Sequence, residues 1–181
     1  MSQYLAITAM GTDRPGLVYA LAQLIGQCEC DIIDSRVAIF GNEFTIIMLV
    51  SGAYSDIARL ESEFPLKAAQ LELMTICKRT SEHLQQSFSS HLIATFEGQD
   101  KRGTMQHLTQ FMVDHGLNIR GFSSHVDKAQ NRGCIQRIEL RVTMGADINL
   151  DELQQSLTTY AQQFGLHSHI VWMSQNHKDN A

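Results

Sequence analysis

Apolar and polar positions along the chain change period in a fixed order. Tyr4 to Met10 reads as a strand, after which Leu17, Leu21, Leu24, Ile25 and Cys28 fall along one face at helical spacing. Two runs rich in β-formers follow, Ile32 to Phe40 and Phe44 to Val50, and Gly41-Asn42 between them suits a tight hairpin. Ile57, Leu60 and Phe64 predict a second helix ending near Pro65, and Leu71, Leu73 and Thr75 alternate along a closing strand. The order then recurs. The strand His91 to Phe96 precedes a helix from about Arg102 to His115, and strands near Ile119 to Val126 and Ile135 to Thr143 follow. Leu150, Leu153, Leu157, Tyr160, Ala161 and Phe164 line a last helix, with Asp147 or Asn149 as its cap, before the strand His167 to Met173.

Superposing the two halves at an offset of 87 positions, Gly11 onto Gly98, gives eight identities between residues 4–32 and 91–119. They are Leu5/Leu92, Thr8/Thr95, Gly11/Gly98, Asp13/Asp100, Gly16/Gly103, Leu21/Leu108, Gln23/Gln110 and Ile32/Ile119. Because the identities coincide with the repeated order of periods, the chain reads as a duplicated domain. Each copy is βαββαβ, an α+β unit that folds as a four-stranded antiparallel sheet with both helices on one face, the ferredoxin-like arrangement. The expected bounds are 1–79 for the first domain, 80–90 for a linker, 91–173 for the second domain and 174–181 for a disordered polar tail, SQNHKDNA. The hairpin of the second copy is expected to be longer than the first, running through residues 127–133. Phe44 to Val50 is apolar on both sides, which predicts that the sheet face away from the helices is covered by another sheet or another chain.

Composition narrows the class. The chain has 181 residues, 44% of them hydrophobic, and no run approaches the roughly 18 apolar residues of a spanning helix, so no membrane role is expected. The start of the chain lacks the basic and apolar segments of a secretory signal, and the expected location is cytoplasmic. Cys28, Cys30, Cys77 and Cys134 have neither the paired spacing of a zinc site nor that of a disulfide framework; reduced, mostly buried thiols are expected. A net charge of -5, with basic residues clustered only as the pairs Lys78-Arg79 and Lys101-Arg102, argues against direct nucleic-acid binding.

The candidate chemistry lies in the repeated hinges GTDRPG (residues 11–16) and GQDKRG (residues 98–103). A strand that turns through glycine into a helix leaves the first helical N–H groups without internal partners, and such donors can hold an anion. Gly11 and Gly16 let backbone approach a small carboxylate, Asp13 is expected to cap the helix, and Pro15 to occupy its first turn. On spacing alone, an efficient strand-to-helix turn explains the same residues. His167 and His169 alternate along a strand and could form a metal pair, but no further ligand stands beside them; His107 and His115 read as solvated. No nucleophile elbow, Walker loop or dinucleotide fingerprint is present, so no catalytic residue and no cofactor are expected, and Met105 and Met112 read as helical core.

The stretch GTDRPGLVYALAQLIGQCECDI resembles the opening of an ACT domain, the amino-acid-sensing module in which a DRPG-type turn lies beside the effector site. Two tandem copies without an enzyme domain resemble the glycine cleavage system transcriptional repressor family. The resemblance implies a ligand site at Gly11, Thr12, Asp13, Arg14, Pro15 and Gly16, with Asp31 at the start of the next strand. It implies a second at Gly98, Gln99, Asp100, Lys101, Arg102 and Gly103 with Asn118, where Arg102 replaces the proline and Thr104 the leucine that follows the turn. It further implies a homo-oligomeric, non-catalytic regulator that senses a small amino acid, glycine, and represses the glycine cleavage operon by binding a LysR-type activator. The alternative is a detached regulatory subunit of an amino-acid enzyme.

Overall fold

The computed structural model describes residues 2–81, 90–129, 133–145 and 148–174, and the chain divides into two compact units, Met1–Leu84 and Gln85–Ala181. The first unit runs β1 (Gln3–Thr12), α1 (Leu17–Gln27), β2 (Asp31–Phe40), β3 (Glu43–Gly52), α2 (Tyr54–Gln70) and β4 (Met74–Thr80). The second repeats it as β5 (Ser90–Gln99), α3 (Thr104–Asp114), β6 (Asn118–Ala129), β7 (Gly133–Met144), α4 (Leu150–Gln163) and β8 (Leu166–Ser174). Both sheets are antiparallel, with orders β2-β3-β1-β4 and β6-β7-β5-β8. Each is thus the predicted ferredoxin-like α+β sheet with its helices on one face.

The period-2 alternation of the central strands fixes which face is buried. Leu5, Ile7 and Ala9 of β1 and Phe44, Ile46, Met48 and Val50 of β3 pack under Leu21 and Ile25 of α1 and Ile57, Leu60 and Phe64 of α2. The second core repeats this with Leu92, Ala94 and Phe96 under Leu108 and Met112 of α3 and Leu153, Leu157 and Ala161 of α4. Each fully buried aliphatic or aromatic side chain contributes on the order of 1.5–3 kcal/mol, so these stripes dominate the stability of each unit.

Several local expectations are corrected. The second helix does not end near Pro65: α2 continues to Gln70, with the proline ring on its exposed side between buried Phe64 and Ala68. Burial on both sides of Pro65 outweighs the one hydrogen bond the ring removes from the ladder. The closing strand accordingly starts at Met74, not Leu71. α3 starts at Thr104, two residues after the predicted Arg102. The second hairpin is paired as far as Ala129 and Gly133, so only 130–132 remain of the predicted loop, and they lie outside the described residues. Outside them too lie Asp147, linker residues 82–89 and tail residues 175–181; Ser174, assigned to the tail, ends β8. Asn149 does cap α4, accepting from the N–H groups of Asp151 and Glu152 at 3.2 and 3.4 Å. Met105 is exposed rather than core, and Cys134 is an exposed thiol.

Candidate functional site

The two hinges are built alike. At the end of β1, the Asp13 N–H donates to the Asn42 carbonyl at 2.9 Å, and at the end of β5 the Asp100 N–H donates to the Cys134 carbonyl at 2.9 Å. These bonds tie each hinge to the neighbouring strand pair. Gly11 lies where a Cβ would stand 2.7 Å from the Glu72 carbonyl oxygen and 2.9 Å from Leu73; for Gly98 the corresponding values are 2.6 Å to the Gly165 oxygen and 2.9 Å to Leu166. The first glycine of each hinge is therefore required because the chain entering β4 or β8 crosses it at backbone contact distance. The second glycine is required by φ: Gly16 (+92°) and Gly103 (+86°) are left-handed N-caps of α1 and α3.

The basic residue of each hinge has a structural task. Arg14 donates to the carbonyl of Leu71, the C-cap of α2, and lies 3.8 Å from Glu72; Lys101 donates at 3.3 Å to the carbonyl of Phe164, the C-cap of α4. Both cations thus sit at the negative end of the unit's second helix, where unpaired carbonyls and the helix dipole favour them. The repetition of this contact was not anticipated; a basic residue at the same hinge position in both copies was its only trace in the sequence.

Asp13 does not cap α1. Among the described residues no side chain caps α1 or α3, and neither helix has an acidic residue in its first turn. Pro15 lies in the turn before the helix rather than inside it. By contrast, α4 has its Asn149 cap with Asp151 and Glu152 behind it, and α2 has Asp56. The helix ends that follow the two hinges therefore present N–H dipoles with neither a side-chain cap nor an acidic residue in the first turn. They differ in one respect: the Thr104 hydroxyl donates to the Lys101 carbonyl at 2.8 Å, and its N–H approaches the same oxygen at 3.4 Å, closing the second hinge on itself. Leu17 at the matching position of the first hinge has no such group.

Within a unit the predicted sites do not assemble completely. Thr12 to Gly16 and Gln99 to Gly103 are exposed, while Gly11 is buried and Gly98 half-buried. Asp31 pairs with Ser51, which shares a rung with Tyr4, whereas Gly11 pairs with Phe44 at the far end of the same sheet. Seven residues of β1 at about 3.4 Å each separate those rungs by roughly 24 Å. Asn118 is likewise on the rung of Thr143 and His91, and Gly98 on that of Gln136. Among the described residues, concavities of about 410 and 350 Å³ lie elsewhere, along α4 beside Gln155 and Tyr160 and between His115 and Asn149.

The histidines fall into two groups. His107 and His115 are exposed, as expected, and each also stacks on a neighbouring ring, His107 on Phe164 at 4.3 Å and His115 on Phe111 at 3.9 Å. His167 and His169 are exposed on the sheet, and among the described residues no group of three or more His, Cys, Asp or Glu converges to hold a metal. Burial pushes the Cys30 thiol up to about 11, which makes it a poor nucleophile near neutral pH. Among the described residues no helix is long and apolar enough to cross a membrane.

Residues 3–78 match the ACT domain family. The chain is 34% identical over 148 residues to the glycine cleavage system transcriptional repressor of Escherichia coli (strain K12), covering 82% of this chain and 77% of that protein. A crystal structure of a candidate glycine cleavage system transcriptional repressor superposes with a TM-score of 0.75 at 33% identity, over 97% of this chain and 99% of the other. A Galdieria sulphuraria protein of unknown function shares the fold at a TM-score of 0.75 and 21% identity, covering 96% of this chain and 99% of that one.

Proposed function

Because the chain belongs to the glycine cleavage system transcriptional repressor family, we propose that it is a non-catalytic, amino-acid-responsive regulator that restrains the glycine cleavage operon by holding a LysR-type activator, with glycine as the signal. The observation that carries the reading is the start of α1 behind the Gly11–Gly16 hinge, which has no side-chain cap and no acidic residue in its first turn. A free amino acid offers a carboxylate, and three successive helical N–H groups with a favourable dipole are suited to receive it. The first hinge is the principal binder, since Thr104 already engages the Lys101 carbonyl in the second. Asp31, about 24 Å along the sheet by strand rise, serves the ammonium group of a ligand only where a second sheet edge runs antiparallel to β2 and brings its own Asp31 to the hinge end.

The ligand shifts the activator-bound population by no more than its preference between the free and bound forms. Calorimetric titration of the full chain with glycine, alanine and serine tests the sensing step. Saturable heat with glycine, weakened by a Gly16→Ala replacement that leaves the circular dichroism spectrum unchanged, is expected; the absence of heat and of thermal stabilisation at millimolar glycine would overturn it. Affinity purification from extract tests the partner: recovery of an amino-acid enzyme without a transcriptional activator favours the detached-subunit reading.

A further inference from the structure

We propose that the helix-free face of the first unit's sheet is an interface with the same face of a second copy of this chain, the two related by a twofold axis along the strands. Three consecutive rungs define the face: Asp34-Leu49-Ala6-Lys78, Arg36-Ile47-Thr8-Ile76 and Ala38-Thr45-Met10-Met74, each in the order β2-β3-β1-β4. Its apolar positions are open from the inner strand β3 to the edge strand β4, with Ile47 51%, Ile76 72% and Met74 70% exposed. A sheet face of this composition is stabilised by a second sheet stacked about 10 Å away.

Charge at the margins selects the occupant. Asp34 and Lys78 stand at opposite edges of one rung, on β2 and β4. A twofold axis along the strands lays β2 of one copy over β4 of the other while keeping rungs level, so Asp34 of each copy meets Lys78 of its mate, twice. An axis across the strands superposes β2 on β2 and forms neither pair. Arg36, 4.0 Å from Asp34, remains at the rim, its stem against Ile76 of the mate. A face with the chemistry of the second unit's sheet is a poor occupant: its Glu97–Arg137 and Glu139–Arg141 ion pairs would lose solvent against aliphatic side chains, a desolvation cost that their mutual attraction does not offset. An isologous pairing of the first face keeps its charges at the margins, where Asp34 of each copy meets Lys78 of the other.

Analytical ultracentrifugation of the full chain over a concentration series tests the proposal. The wild type is expected to dimerise, and Ile76→Glu, a replacement on an exposed position that leaves the core intact, to weaken dimerisation by at least ~10-fold. Lys78→Asp is expected to weaken it by roughly threefold or more, with recovery in the Asp34→Lys/Lys78→Asp double variant. A wild type that stays monomeric at every concentration overturns the proposal, as does a dimer insensitive to Ile76→Glu, which would place association on another surface such as the exposed edge strand β2. Failure of the double variant to recover overturns the twofold arrangement. Unchanged far-ultraviolet circular dichroism in each variant confirms that association, not folding, is being read.

Discussion

On the rung of Thr8 the first unit places Ile47 and Ile76, whereas on the rung of Thr95 the second places Glu139 and His169. One rung further, Met10 lies between Thr45 and Met74, and Glu97 between Arg137 and His167. Glu97 and Arg137 form an ion pair at 3.0 Å, and Arg141 pairs with Glu139 at 3.0 Å. The same backbone therefore carries an apolar outer face in one copy and a charged, histidine-bearing one in the other. Inside, the copies agree: equivalent leucines, Leu21 and Leu108, are fully buried, and equivalent glycines make equivalent crossings. The lesson is that burial against the helices constrains both copies alike, while the outer face is free to take whatever chemistry its surroundings reward.

The comparison can be broken most severely at the crossings. Gly11→Ala and Gly98→Ala each force a Cβ against a carbonyl oxygen and a leucine; a loss of roughly 1–3 kcal/mol or more is expected in the affected unit. Hydrogen exchange read peptide by peptide would show each loss confined to its own unit, and equal losses would confirm that the hinges are one device used twice. Next come the N-caps, where Gly16→Ala and Gly103→Ala impose a side chain on φ of +92° and +86°, costing about 1–2 kcal/mol each by thermal unfolding.

Smaller effects separate the copies. Asn149→Ala removes the α4 cap and is expected to cost about 1 kcal/mol in the second unit alone, while Ala53→Asn, at the uncapped start of α2, stabilises the first by a similar amount. Denaturant titrations of the two variants would show shifts of opposite sign. The smallest difference concerns pH. Cys30, buried in the first unit, has its pKa raised from 9.0 to about 11. A raised acid pKa means that the unfolded thiol ionises first, so this group's contribution is complete below pH 9 and is lost as pH rises toward 11. Cys30→Ser should flatten the pH dependence of the first unit's unfolding over that window while leaving the second unit's profile unchanged.

Much of this was legible because it depends on local period. The alternation of Leu5, Ile7 and Ala9, the helical spacing of Leu17, Leu21 and Leu24, and the Gly41-Asn42 turn specify elements from neighbours in the sequence, and duplication wrote each signal twice. Pro65 misled because its local rule was outweighed by Phe64 and Ala68, whose burial depends on a sheet distant in the chain.

For the hinge, the sequence by itself determined that two glycines flank a polar turn ahead of a helix. Only the tertiary structure decided what each residue does there. Gly11 is forced by the chain at Glu72 and Leu73, Arg14 is drawn to the carbonyl of Leu71, and Asp31 is carried to the other end of the sheet by the register of β2 on β3. Those outcomes depend on contacts between residues far apart in the chain, and hydrophobic period constrains which face a residue occupies but not which distant atom it meets.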